Sequence, residues 1–128
     1  MTKELDSPLA GVKVVEITSI YSGPMAGMML AELGAQVTKV ESPNGPDPVR
    51  SQGLAGTADG VNSTFYSLNR GKRFCSIDAK TSRGKELLFD LVVNADVFIH
   101  NMRPGKAEGL GLDYESLSLE NLRIIYGA

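Results

Sequence analysis

A chain of 128 residues has the length of one domain and is long enough to bury a core. At 42% hydrophobic, 22% charged and a net charge of -2, it excludes a broad polyanion-binding surface, so nucleic acid is not an expected partner and any anion site must be a local cluster. No run approaches the about 20 apolar residues of a membrane span, residues 1–6 lack a signal-peptide pattern, and the single Cys75 excludes an internal disulfide, so a reducing cytoplasm is the expected compartment.

The first predicted element is a largely buried strand, Val12–Thr18, β-branched along most of its length. Gly23-Pro24 leads into a helix over Met25–Leu33, since proline fits a first helical turn, and Gly34 stands where a left-handed residue would end it. Val37–Glu41 is the second strand. Strand, helix, glycine and strand make a βαβ unit with parallel strands and a right-handed crossover. Residues 42–63 read as a long loop on their proline, glycine and serine content, and a loop of that length is usually functional. A short helical turn over Phe65–Leu68 precedes the basic turn Asn69–Arg73, after which Phe74–Asp78 reads as a strand.

Thr81 is placed to cap a helix running to Val93, whose Leu87, Leu88, Leu91 and Val92 form a stripe expected to face the sheet. Val97–His100 is the next strand. Pro104-Gly105 opens a short helix to Gly109, Asp113–Leu119 offers another, and Leu122–Tyr126 is the last strand. Strands alternating with helices predict an α/β open parallel sheet in a single domain, residues 1–128.

Such sheets bind ligands outside the carboxyl ends of their strands. The segments expected there are Thr18–Pro24, the loop after Glu41, Ala79-Lys80 and Asn101–Gly105. Thr18–Pro24 offers hydroxyls and backbone N–H groups at a helix start, which suit an anion, but it carries neither the dinucleotide fingerprint nor a P-loop. It reads equally as a turn that caps its own helix. Arg70, Lys72 and Arg73 are either a solvated basic turn or a phosphate grip. Arg103 can pair with a phosphate and Asn101 can bond a backbone group or an adenine edge; Asn101–Gly105 also reads as a turn before a helix. Glu16 and Glu41 are read as structural, His100 as a satisfied residue that titrates near neutrality, and Cys75 as a packed small hydrophobe. One cysteine, one histidine and scattered acids predict no metal.

The order and spacing of Leu9–Glu16, Gly23-Pro24, Leu33–Glu41, Leu68–Arg73, Ala95–Val97, Arg103–Gly105 and Leu110–Leu112 resemble the family III CoA-transferases, the group that also holds the α-methylacyl-CoA racemases. The resemblance runs along essentially the whole chain. It implies a Rossmann-like core, the N-terminal portion of a larger fold, whose substrate is coenzyme A or an acyl-CoA together with a small carboxylic acid. It places Ser19 and Tyr21 beside the nucleotide. Leu68, Lys72 and Arg73 fall at the adenine and its phosphates, and Asn101, Met102 and Arg103 along the diphosphate and pantetheine path. Two positions depart from the pattern: Ser42 and Gly109 stand where many members carry arginine, and each removes a phosphate partner. The resemblance further implies covalent catalysis by an aspartate expected beyond Ala128, interlocked homodimers, and no activity from these 128 residues alone. A racemase, a CoA- or nucleotide-binding module without chemistry, and an interaction protein remain the alternatives.

Overall fold

Most strands form from apolar, β-branched runs, and side-chain caps at Asn62, Thr81 and Asp113 start three of the helices. The computed structural model describes residues 7–52 and 60–128. Its strands are β1 (Lys13–Ile17), β2 (Gln36–Glu41), β3 (Arg73–Ser76), β4 (Val97–His100) and β5 (Ile125–Gly127). Its helices are α1 (Ser22–Glu32), α2 (Ser63–Asn69), α3 (Ser82–Val93), α4 (Lys106–Gly109) and α5 (Tyr114–Glu120), with a 3₁₀ turn at Pro48–Arg50. The strands form one sheet, parallel throughout, in the order β3-β2-β1-β4-β5. The expected α/β parallel sheet is therefore the observed one. The chain winds from β1 towards β3, then crosses to the other side of β1, and a crevice opens at the carboxyl ends where the winding reverses.

The period-2 alternation of the strands sorts the core into two faces. Val14 and Val37 pack with Ala35 and with Leu30 and Ala31 of α1. Val15, Val40 and Phe98 point to the opposite face and pack with Leu88 and Val92 of α3 and with Leu112 and Leu117. Thr81 caps α3 as expected, its Oγ1 accepting from Gly84 N–H at 3.0 Å. Asp113 caps α5, accepting from both the N–H and the hydroxyl of Ser116, and those bonds hold its carboxyl below the usual range. Gly34, at φ +100, ends α1: the N–H of Ala35 reaches Leu30 O and that of Gly34 reaches Ala31 O, the paired bonds of a left-handed helix stop.

Four expectations are corrected. α1 begins at Ser22 rather than Met25, with Pro24 inside its first turn. Leu87 does not join the buried stripe of α3; Leu88 and Val92 are buried and Leu91 half-buried, while Leu87 is exposed. The last strand starts at Ile125, not Leu122, because the Asn121 amide donates to Val93 O and Ala95 O and holds the chain in a turn at the end of α3. The long loop contains the 3₁₀ turn and gives way to α2 at Ser63; its residues 53–59 lie outside the described residues.

Candidate functional site

A cleft of about 680 Å³ lies at the carboxyl ends of β1, β2 and β4. Thr18 and Ser19, Ser42 and Asp47, and Asn101 through Arg103 with Lys106 contribute its polar and charged lining. Three loops separated in sequence meet there, and side chains tie them together. Asn101 Oδ1 accepts from Ser19 N–H at 3.0 Å, and its Nδ2 donates to Ser19 O at 2.7 Å. Asp47 Oδ1 accepts from Ile20 N–H and from Val49 N–H, both at 3.1 Å. Ile20, tethered itself and next to tethered Ser19, has φ 72, alone among the described non-glycine residues in having a positive φ. A β-branched residue resists that region, so the turn is held there by its surroundings.

The loop after β2 is fastened as firmly. Arg50 grips Glu41 with Nε at 3.2 Å from Oε1 and Nη2 at 2.6 Å from Oε2. Its guanidinium lies 4.0 Å from the ring centroid of Phe65, which secures the loop to α2. Glu41 Oε1 also accepts from Asp47 N–H at 3.0 Å.

Beneath the cleft, on the α1 face of the sheet, runs a fully buried row of alternating charges: Asp47, Lys39, Glu16 and Lys72. Lys39 Nζ donates to Asp47 Oδ2 at 2.8 Å and to Thr18 O at 2.9 Å, and lies 3.6 Å from Glu16 Oε1. Lys72 Nζ donates to Glu16 Oε1 at 2.9 Å, Pro24 O at 2.7 Å and Asn69 Oδ1 at 2.9 Å. The row is neutral overall, two ammonium groups against two carboxylates. Burial pushes the Lys72 ammonium below the ordinary lysine value, with Glu16 pulling it back. Glu16 Oε2 has no hydrogen-bond partner among the described residues and faces Gly27 of α1, where a Cβ would come within 1.6 Å of it.

The loop after β4 has its own anchor. His100 Nδ1 accepts from Met102 N–H at 3.1 Å, which puts the neutral ring's proton on Nε2, 2.7 Å from Tyr126 Oη. Tyr126 in turn donates to Leu112 O at 3.1 Å. Burial lowers the His100 value from its usual 6.5, opposed by Glu108, so the neutral form that this bonding requires is the favoured one.

Of the eight residues predicted for the site, Ser19, Asn101, Met102 and Arg103 meet in the cleft, and Tyr21 follows Ser19 two residues on with its ring exposed. Leu68, Lys72 and Arg73 are not brought there. The basic turn enters β3 at the amino-terminal half of the sheet, where Arg73 pairs in register with Thr38 and lines a separate depression with Lys13 and Asp90. Arg70 is spent on Glu32 and on Ser67 O. Lys72 is expected at the phosphates; here all three of its N–H groups are used inside the protein and none is left for a phosphate. Two residues went unnoticed in the sequence. Lys106 supplies the cleft's second exposed cation and left no local sign. Asp47 did leave one, an Asp-Pro pair that caps a helical turn with proline in its first position. Among the described residues no group of three or more His, Cys, Asp or Glu is placed to hold a metal ion.

Residues 9–128 match the family model described as CoA-transferase family III. A succinate–glutarate CoA-transferase of Agrobacterium fabrum is 44% identical over 124 residues, covering 93% of this chain and 31% of that protein. A formyl-CoA:oxalate CoA-transferase of Escherichia coli O6:H1 is 36% identical over 124 residues, covering 97% of this chain and 30% of its own length. The crystal structure of a CAIB/BAIF family protein from Brucella suis superposes with a TM-score of 0.86 at 44% identity, covering 94% of this chain and 32% of that one. The chain thus spans about a third of the length of these relatives.

Proposed function

The chain belongs to CoA-transferase family III, and from that premise we propose that its carboxyl-end cleft holds the phosphate-bearing part of coenzyme A. The protein to which this segment corresponds would move CoA between an acyl-CoA and a small carboxylic acid. The observation that carries this reading is the pair of exposed cations, Arg103 and Lys106, on a cleft whose other side includes the tethered end of β1 at Thr18 and Ser19. Arg103 offers a planar fork to a phosphate and Lys106 a point charge. Ser19 and Tyr21 lie where the nucleotide would enter, and Asn101 holds the entry turn rather than reading the adenine. Ser42 on the cleft wall and Gly109 on α4 contribute no cation, so Arg103 and Lys106 carry the phosphate contacts between them.

Transfer in this reading is covalent. A carboxylate attacks the acyl-CoA thioester, giving a mixed anhydride and CoA thiolate; the thiolate attacks the enzyme-side carbonyl of that anhydride, expelling the donor acid as its carboxylate and leaving an enzyme-bound CoA thioester. The acceptor carboxylate attacks this thioester, and the thiolate it expels takes the acceptor's acyl group from the new anhydride and frees the enzyme carboxylate. No carboxylate among these residues is assigned as the nucleophile. Transferase chemistry is preferred to racemisation because the relatives at 44% and 36% identity are both named for CoA transfer.

Titration calorimetry with CoA tests the reading. The wild-type chain is expected to bind, more weakly at raised salt. Arg103→Ala should lower affinity by about tenfold, the worth of one charge-assisted bond, and a wild-type chain that takes up no CoA would remove the proposal.

A further inference from the structure

The β1–α1 turn is in an unfavourable backbone state, and a buried carboxylate stands directly behind it. Asp47 is 4% exposed. One of its oxygens accepts the N–H of Ile20, the residue at positive φ, and the other is held by Lys39 at 2.8 Å. Lys39 is itself fixed by Thr18 O, one residue before the turn. The carboxylate therefore cannot swing away from Ile20 without giving up its bond to a buried ammonium, whose other partners are Thr18 O and Glu16. Asn101 pins the preceding residue, Ser19, from the opposite wall of the cleft.

We infer that Asp47 is a positioning residue: with Lys39 behind it and Asn101 across from it, it holds the turn at residues 19–21 in its left-handed form and so keeps the cleft wall ready for ligand. The functional arm of this inference rests on the CoA reading above; the conformational arm does not. Without the tether, Ile20 relaxes to an ordinary negative φ, because nothing in a β-branched residue favours the left-handed region. The backbone of Ser19 and Tyr21 then turns, and Ser19 loses its place on the cleft wall.

Two double variants test the acceptor at residue 47, which serves Ile20 N–H and Val49 N–H, with Ile20 as the readout. Lys39→Gln with Asp47→Asn removes both charges but keeps an acceptor oxygen at residue 47. Lys39→Gln with Asp47→Ala removes the charges and the acceptor together. A positive φ gives a strong NOE between a residue's own amide and α protons, so the state of Ile20 is read by NMR without ligand. The Asn form is expected to keep that strong NOE and to bind CoA within about threefold of wild type; the Ala form is expected to lose it and to bind at least about tenfold more weakly. Equal NOE intensity in the two double variants would overturn the inference. Asn101→Ala, which leaves no buried charge unpaired, gives the same readout should the Ala form fail to fold: weakened intensity supports the tether, full intensity counts against it. If the NOE follows the prediction but no form binds CoA, the tether stands and the CoA reading falls.

Discussion

The Lys72 side chain is closed off from water, and that decides what the residue is for. Its three N–H groups meet Glu16, Pro24 and Asn69, so removing the ammonium leaves a buried carboxylate with less compensation rather than a phosphate with less grip. Breaking a buried pair from one side costs about 3–5 kcal/mol, because the remaining charge is stranded. Lys72→Met is therefore expected to lose stability on that scale in urea unfolding, while its folded fraction binds CoA as wild type does. Unchanged stability with weakened CoA affinity would return Lys72 to the phosphate role. Reading the basic turn as either solvent-exposed or phosphate-gripping omitted a third outcome: cations used as internal ties. Nothing local in Asn69–Arg73 distinguishes these, since the partner Glu16 is 56 residues away.

The docking of α1 on β1 depends on a missing side chain. Gly27 faces Glu16 where the helix presses on the sheet, and a Cβ there would stand 1.6 Å from Glu16 Oε2 and 3.2 Å from Lys72 Nζ. Helix propensity alone favours Gly27→Ala by about 1 kcal/mol. The clash is with a carboxylate that two lysines hold in place, and forcing extra volume into a packed contact costs about 1–3 kcal/mol. The clash should win, so Gly27→Ala is expected to lower the melting temperature, and a rise would show that the buried row yields easily. Helix α1 itself was legible from its composition and from Gly34 at its end. Its dependence on a buried charge was not, because a strand pattern marks which residues share a face and does not tell what stands opposite Glu16.

Over the whole molecule the sheet is covered unevenly. On its α1 side, helices lie over β1, β2 and β3, while Ile125 of β5 is 64% exposed there and Val97 and Ile99 of β4 are half-buried. Along α1 itself Tyr21, Met25, Met29 and Leu33, spaced by four, leave an exposed apolar stripe. An apolar surface of this kind drives association in water. The chain is expected to self-associate in light scattering, with Met29→Glu shifted towards monomer; a monomeric wild-type chain at high concentration would show that this face tolerates water. The parallel α/β class, the βαβ start, the cap at Thr81 and the clustering of loops at the carboxyl ends all follow from periodicity, capping residues and turn chemistry, which are local and therefore written in the sequence. The assignment of charge was decided only by tertiary structure. Lys72 turns inward, Arg70 pairs with Glu32 at the surface, Arg103 and Lys106 face the cleft, and Asp47 holds Ile20 at positive φ, because an ionic partner is set by which distant strands and loops come to lie side by side, and no window along the chain contains that information.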